Sequence, residues 1–319
     1  MRPSIVSCVE ELVGDTPLLR LSLPGVPDGV RLLAKLELFN PTSSVKDRAA
    51  LNMLAAAERD GRLAPGGTVV EYSSGNTGIS LAGLCAGRGH PFVLVMPDNA
   101  TEERCGLVRA FGGRIVFTPH EGGLPATIEM ARQVAASIPG AWLVDQSNNH
   151  DNTEAHYART GPEILRACGG EIGVFVSPVG TGGTLTGVAR YLKEHVDVHV
   201  VAVEPERSPV LSGGEPGPHG IPGIGPGFIA ATTDVGRIDE IVTVSDVDAG
   251  SATRQIAARN GVLVGVSSGA AAHAARVVAG RPRWAGATVV VVLPDSGERY
   301  LSIWDTLGAQ ADRPDGADS

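Results

Sequence analysis

The chain contains the segment Asn40-Pro41-Thr42-Ser43-Ser44-Val45-Lys46-Asp47-Arg48, in which a proline and three hydroxyl residues precede a lysine. Pro41 favours extended backbone at the residue before it, and the hydroxyl side chains can cap a following helix. Lys46, one of only three lysines in the chain, would then lie at a helix start, where partial positive charge lowers the pKa of its amine. Such an amine can be a nucleophile, a Schiff-base former or a proton carrier. An arbitrary lysine is more commonly a solvated surface group, so the remaining sequence must decide between the two.

Composition restricts the class of protein. The chain has 319 residues, of which 43% are hydrophobic and 19% charged, as expected for a globular protein with one large domain or two ordinary ones. A net charge of −9 argues against nucleic acid or an anionic membrane as partner. The four cysteines show no metal-binding or redox spacing, which favours reduced thiols in a cytoplasmic protein without a metal site. We find neither a signal peptide nor an apolar run long enough to span a membrane.

Predicted strands and helices alternate over most of the chain. One set of buried strands falls between Thr68 and Val144, and a second set begins at Val174 and ends at Leu293. Strands that alternate with helices form parallel sheets joined by right-handed crossovers. The fold class predicted is therefore α/β, with two doubly wound domains and a cleft between them.

Two loops after predicted strands suit anions. Residues 73–78 read Ser-Ser-Gly-Asn-Thr-Gly, and residues 180–184 read Gly-Thr-Gly-Gly-Thr. In open α/β sheets, ligands bind at the carboxyl ends of strands, where helix N-termini offer free N–H groups. Neither loop matches the usual nucleotide or dinucleotide fingerprint. A nicotinamide-dependent oxidoreductase is a competing hypothesis that rests on the α/β alternation and the glycine turns alone.

In combination, these segments resemble the pyridoxal-phosphate enzymes of the cysteine synthase family. The resemblance extends over roughly residues 10–305 and includes further segments such as Gly14-Asp15-Thr16-Pro17-Leu18, Thr160-Gly161-Pro162-Glu163 and Pro294-Asp295-Ser296-Gly297-Glu298-Arg299-Tyr300. It implies fold type II, with the cofactor pyridoxal 5′-phosphate in the cleft. It also implies a larger cofactor-binding domain from residues 1–39 and 148–306, a smaller mobile domain from 40–147, and a disordered tail at 307–319.

The resemblance assigns a role to each site residue. Lys46 matches the lysine that forms the Schiff base with the cofactor and later carries the α-proton. Ser267 matches the partner of the pyridine nitrogen, with Ser268 as its rival. The other cofactor-binding residues are Asn76 at the 3′ oxygen and Gly180, Thr181, Gly182, Gly183 and Thr184 at the phosphate. The residues expected to bind substrate are Tyr72, Ser73, Ser74, Gly75, Thr77, Gln146 and Gly223.

The reaction implied is β-replacement on O-acetyl-L-serine through an α-aminoacrylate intermediate, with release of acetate. The family resemblance also implies a homodimer and, as a further partner, a serine acetyltransferase tail that docks in the cleft. A catalytically silent binding or regulatory relative is the distant alternative. The intact lysine, asparagine and phosphate loop argue against it.

The loop at residues 72–78 departs from the family pattern Pro-Thr-Ser-Gly-Asn-Thr-Gly. Tyr72 replaces the proline with a large ring and a hydroxyl, and Ser73 replaces the threonine. These changes resemble the O-ureidoserine-forming branch, which belongs to the biosynthesis of the antibiotic cycloserine. We therefore expect hydroxyurea as the nucleophile, with sulfide also accepted. The alternative is that the differences are neutral and the enzyme is an ordinary cysteine synthase using sulfide.

Overall fold

The computed structural model describes residues 5–73 and 75–306. Within them, the strands are β1 (Leu18–Arg20), β2 (Arg31–Leu36), β3 (Val69–Tyr72), β4 (Phe92–Pro97), β5 (Arg114–Thr118), β6 (Trp142–Leu143), β7 (Val174–Pro178), β8 (His199–Pro205), β9 (Glu240–Val244) and β10 (Thr288–Leu293). The helices are α1 (Lys46–Arg59), α2 (Asn76–Arg88), α3 (Glu102–Ala110), α4 (Gly123–Ser137), α5 (Asp151–Ala155), α6 (Gly161–Ala167), α7 (Gly183–His195), α8 (Asp246–Asn260) and α9 (Val266–Ala279).

The larger sheet has six strands in the order β1-β2-β10-β7-β8-β9. Only the pairing of β1 with β2 is antiparallel. Strand β10 is a run of valines because helices cover both of its faces. Val289 and Val291 pack with the alanine-rich α9, whereas Val290 and Val292 pack on the opposite side with α7.

The smaller sheet has four parallel strands in the order β5-β4-β3-β6. Its central strand β3 again sends alternate residues to two cores. Val69 packs with residues of α1 and α2, and Val70 with Tyr72 lies on the side covered by α4. Because helices cover both faces of both sheets, the polar carboxyl ends of the strands are left to form a binding site.

The predicted α/β class with two parallel-sheet units is confirmed, whereas the exact domain boundaries stay a prediction. The sequence patterns missed α5, the π-helical turn His156–Thr160 that follows it, and strand β9. Helix α5 and the π-helical turn bury mainly polar residues, and β9 is a half-buried edge strand. None of the three therefore has a clear apolar period. The predicted tail at 307–319 lies outside the described residues. In the described part of the chain, no helix has the length and apolar character needed to cross a membrane.

Candidate active site

A cavity of about 390 Å³ opens where the carboxyl ends of strands from both sheets meet. It is lined by every predicted site residue that the structure describes, although these residues are up to 221 positions apart in sequence. Ser74 lies outside the described residues. The predicted residues in the wall are Lys46, Tyr72, Ser73, Gly75, Asn76, Thr77, Gln146, Gly180, Thr181, Gly182, Gly183, Thr184, Gly223 and Ser267.

Lys46 is the first residue of α1, as predicted, but the helix start is not capped as the sequence suggested. Val45 occupies the N-cap position without a side-chain cap. The Ser44 hydroxyl accepts a hydrogen bond from the Lys46 amide (3.3 Å), and the Asp47 carboxylate reaches back to accept one from the Thr42 amide (2.7 Å). The three hydroxyl residues thus do not all cap the helix. Instead, the Asp47 carboxylate in the first turn binds the preceding loop, because a buried carboxylate needs hydrogen-bond donors.

The Lys46 amine has a lowered pKa, as expected, but mainly for another reason than the helix dipole. Burial lowers the pKa to about 8, partly opposed by the negative charge of Glu71. Its Nζ donates to Oε1 of Gln146 at 3.4 Å, and the same oxygen accepts from the Thr77 hydroxyl at 2.7 Å. The amine therefore lies next to a neutral oxygen, and with a pKa of about 8 roughly a tenth of it is unprotonated at pH 7.

Gly180–Thr184 connects β7 to the N-terminus of α7 and forms a cradle suited to a phosphate. Gly182 has a φ of +77°, and a Cβ there would lie 2.0 Å from Oγ1 of Thr233. A Cβ on Gly183 would lie 2.2 Å from Oδ1 of Asn152. Only glycine fits at these two positions, and the backbone N–H groups stay accessible.

Neighbouring polar residues from other parts of the chain hold this cradle in place. Thr181 accepts a hydrogen bond on its carbonyl from the Thr233 hydroxyl (3.1 Å) and one on its own hydroxyl from Nδ2 of Asn152 (3.1 Å). The Thr184 hydroxyl lies 3.2 Å from Nε2 of His156, whose pKa burial lowers to about 3. His156 is therefore neutral. No local motif marks these residues, since Asn152 lies in α5, His156 in the π-helical turn that follows, and Thr233 in a loop about 50 residues after the cradle.

The two predicted contacts with the cofactor ring lie on different helices. Asn76 starts α2, and Nδ2 of its side chain donates to Oδ2 of Asp295 at 2.7 Å. Ser267 lies in the first turn of α9 and lines the cavity, whereas its rival Ser268 is not part of the wall. The geometry therefore favours Ser267 over Ser268 as the residue that faces a ligand.

Tyr72 and Ser73 lie in the cavity wall at the end of β3. The Tyr72 hydroxyl donates to Oδ1 of Asp145 at 2.7 Å, and burial with this carboxylate raises the pKa of the phenol. The Ser73 hydroxyl accepts from the Gly75 amide at 3.1 Å. Tyr72 therefore presents a neutral, oriented hydroxyl whose oxygen can still accept a hydrogen bond.

The donor set of the cavity fits pyridoxal phosphate. A half-buried amine of lowered pKa can react with its aldehyde, and a helix N-terminus with two obligatory glycines can hold its phosphate. The Asn76 amide and the Ser267 hydroxyl line the same cavity and could bond polar atoms of its ring. Arg104 of α3 also lines the cavity, although no sequence pattern indicates it; its guanidinium lies 5.3 Å from the Tyr300 ring centre. A lone arginine on an exposed-looking helix gives no sequence signal.

Comparison with known proteins agrees with this chemistry. Residues 9–295 match the family model described as pyridoxal-phosphate dependent enzyme. A probable cysteine synthase from Bacillus subtilis is 47% identical over 309 residues, covering 95% of this chain and 99% of that protein. A crystal structure of cysteine synthase from Entamoeba histolytica superposes with a TM-score of 0.92 at 40% identity, covering 99% of this chain and 94% of that one. A crystal structure of O-ureido-L-serine synthase gives 0.91 at 38% identity, with 98% of each chain covered. The chain therefore belongs to the pyridoxal-phosphate dependent enzymes, within the cysteine synthase family.

Proposed function

We propose that this enzyme catalyses β-replacement on O-acetyl-L-serine, in which acetate leaves the β-carbon and a nucleophile takes its place. The observation that carries the proposal is the Lys46 amine of lowered pKa in the wall of a cavity that also contains the cradle at Gly180–Thr184. An amine with a pKa of about 8 can react with the cofactor aldehyde and can later accept and return a proton near neutral pH.

Each wall residue then has a task. The bound cofactor supplies an electron-withdrawing ring that stabilises negative charge at the substrate α-carbon. Lys46 takes the α-proton. Thr77 and Gln146 share a hydrogen bond that leaves the Gln146 amide N–H₂ to bind the substrate carboxylate. The other residues we propose for substrate binding are Tyr72, Ser73, Ser74 and Gly75, and for cofactor binding Asn76, Gly180, Thr181, Gly182, Gly183, Thr184 and Ser267. Gly223 is proposed to border the path of the nucleophile.

For the nucleophile, sulfide is the first candidate because the Bacillus subtilis and Entamoeba histolytica relatives are named cysteine synthases. Hydroxyurea, with O-ureido-L-serine as product, is the second candidate. It is supported by Tyr72, whose oriented hydroxyl oxygen could accept a hydrogen bond from a urea N–H, and by the similarity to O-ureido-L-serine synthase.

Replacing Lys46 tests the proposed chemistry. The wild-type protein with bound pyridoxal phosphate should be yellow and should release acetate from O-acetyl-L-serine. Lys46→Ala should lose the visible absorbance and nearly all acetate release, because it removes the reacting amine. Lys193→Ala is the matched control, since Lys193 is a surface lysine paired with Asp239. A Lys46→Ala variant with wild-type absorbance and acetate release would contradict the proposal.

The nucleophile is tested by measuring product formation with sulfide and with hydroxyurea at equal O-acetyl-L-serine concentration. We expect the double variant Tyr72→Pro with Ser73→Thr to shift the ratio of the two rates toward sulfide, by about tenfold if one hydrogen bond to the nucleophile is lost. Tyr72→Phe is the control that removes the hydroxyl but keeps the ring. An unchanged ratio in both variants would mean that these positions do not select the nucleophile.

We propose in addition that residues 40–147 form a smaller domain that closes over the bound carboxylate against the domain of residues 1–39 and 148–306. The enzyme is proposed to be a homodimer, which light scattering during gel filtration would measure. A serine acetyltransferase tail as partner stays a prediction from the family resemblance.

A further inference from the structure

The segment after β10, residues 294–300, lies against the loop that carries Lys46; we call it the β10 clamp. The Val45 amide donates to the Pro294 carbonyl at 2.7 Å, and the Ser296 amide donates to the Ser43 carbonyl at 3.2 Å. The clamp belongs to the six-stranded sheet, whereas the Lys46 loop leads into α1 on the four-stranded sheet. These contacts therefore join the catalytic lysine to the larger sheet at its carboxyl edge.

The same clamp holds the side-chain amide of Asn76. Nη1 of Arg299 donates to Oδ1 of Asn76, and Nδ2 of Asn76 donates to Oδ2 of Asp295. A guanidinium can only donate hydrogen bonds, so the Asn76 oxygen must face Arg299 and its nitrogen must face Asp295. The amide nitrogen has two protons, and Asp295 takes one of them. Since Asn76 lines the cavity, the other is the donor that it can offer to a ligand.

The groups that hold Asn76 are themselves buried and fixed. Asp295 is fully buried, and its Oδ2 also accepts from the Tyr300 hydroxyl at 2.6 Å. Arg299 is only 5% exposed, and its Nη2 donates to the Thr42 carbonyl in the Lys46 loop. The two arms of one planar guanidinium thus bind Asn76 and the Lys46 loop at the same time, a geometry that a lysine cannot reproduce.

We propose that Arg299 and Asp295 are positioning residues, which hold the Asn76 amide in the one orientation that points a donor at the cofactor ring. Through the second arm of Arg299, the clamp also sets the position of Asn76 relative to Lys46. The inference rests on the cofactor-binding role proposed for Asn76. No motif connects these residues in sequence, because Asn76 and Arg299 are separated by 223 positions.

A double-mutant cycle tests whether Arg299 acts through Asn76. The measured quantities are the dissociation constant of pyridoxal phosphate from cofactor-depleted protein and the position of the visible absorption band. Asn76→Ala and Arg299→Lys should each weaken cofactor binding by about tenfold, as expected for a lost hydrogen bond to a charged or oriented group, and should move the band. In the Asn76→Ala background, Arg299→Lys should have no further effect on either quantity.

Two further variants complete the test. Arg283→Lys makes the same chemical change at a surface arginine, 54% exposed, and should leave both quantities unchanged. Tyr300→Phe keeps the ring but removes a hydrogen-bond donor to Asp295. It should weaken cofactor binding less than Arg299→Lys does, and this effect should also disappear in the Asn76→Ala background. Tyr300→Phe replaces Arg299→Lys in the cycle if the latter does not fold.

The outcomes distinguish a failure of the Asn76 role from a failure of the positioning role. If Asn76→Ala leaves cofactor binding and the band unchanged, the role proposed for Asn76 is wrong. If Asn76→Ala weakens binding but Arg299→Lys and Tyr300→Phe do not, the positioning role is overturned. Equal losses from Arg299→Lys with and without Asn76 would also overturn it, because they would show a general structural effect.

Discussion

At the scale of single residues, the three lysines of the chain show how surroundings determine reactivity. Lys35 is buried, but its Nζ is paired with Glu163 at 2.7 Å. Lys193 is partly exposed and paired with Asp239 at 2.8 Å. Lys46 is half-buried, and its Nζ donates to the neutral oxygen of Gln146. Burial lowers the pKa of both Lys35 and Lys46, but at Lys35 the carboxylates of Glu37 and Glu163 oppose the shift, whereas at Lys46 only Glu71 does. Of the three lysines, only Lys46 lines the cavity.

The lowered pKa of Lys46 predicts how cofactor loading depends on pH. Only the neutral amine attacks the cofactor aldehyde, so the loading rate should rise about tenfold per pH unit below pH 8 and level off above it. Stopped-flow measurement of the visible absorbance after mixing cofactor-depleted protein with pyridoxal phosphate would follow this rate. A rise that continues to pH 10 would mean that the amine has the pKa of an ordinary lysine.

At the scale of elements, the phosphate cradle depends on α7 and on the segment from α5 through the π-helical turn. Helix α7 supplies the N-terminal N–H groups, and Asn152 and His156 hold the hydroxyls of the two cradle threonines. A helix start with an exposed, unsupported loop would bind an anion only weakly, because the loop would lose conformational entropy when it became ordered around the anion. Packing α5 against α7 orders the cradle before any ligand binds.

Gly182→Ala should disrupt this cradle specifically. The added Cβ would lie 2.0 Å from the Thr233 hydroxyl, and φ of +77° adds backbone strain. We expect pyridoxal phosphate affinity, measured by fluorescence titration, to fall about a hundredfold, equivalent to roughly 2.7 kcal/mol. Gly213→Ala is the control, because Gly213 also has a positive φ (+83°) but has open space around its Cβ position. Equal losses in both variants would show that backbone strain alone, and not the cradle, is responsible.

At the scale of the whole molecule, a buried ion network connects parts of the chain that are distant in sequence. Arg48 donates from Nε to Glu37 (2.6 Å) and from Nη2 to Glu163 (2.6 Å), and Lys35 donates to Glu163. The network has two positive and two negative groups, so each buried charge has a partner. It links α1, which begins with Lys46, to β2 and α6 of the region around the larger sheet. Lys46 therefore starts a helix that is anchored two residues later.

Arg48→Met should destabilise the protein strongly, because it leaves Glu37 and Glu163 buried with too little positive charge. We expect the free energy of unfolding in urea to fall by about 3–5 kcal/mol. Arg59→Ala, which breaks an exposed pair with Asp60, should leave the free energy of unfolding nearly unchanged. Comparable losses in the two variants would mean that the buried network contributes no more than a surface ion pair.

The sequence by itself determined the α/β class, the order of most strands and helices, and the lysine and anion-binding loops of the site. These features depend on local periodicity and on residues close together in the chain, which a linear pattern records. Tertiary structure alone decided that Ser267 rather than Ser268 lines the cavity, that Tyr72 bonds Asp145, and that Arg299 holds Asn76. Tyr72 and Asp145 are 73 positions apart in sequence, and Asn76 and Arg299 are 223 positions apart. The choice of serine depends on the direction of helix α9. Arg299 reaches Asn76 because the two sheets pack together, and Tyr72 reaches Asp145 because β3 pairs with β6 within the smaller sheet; no local pattern contains either arrangement.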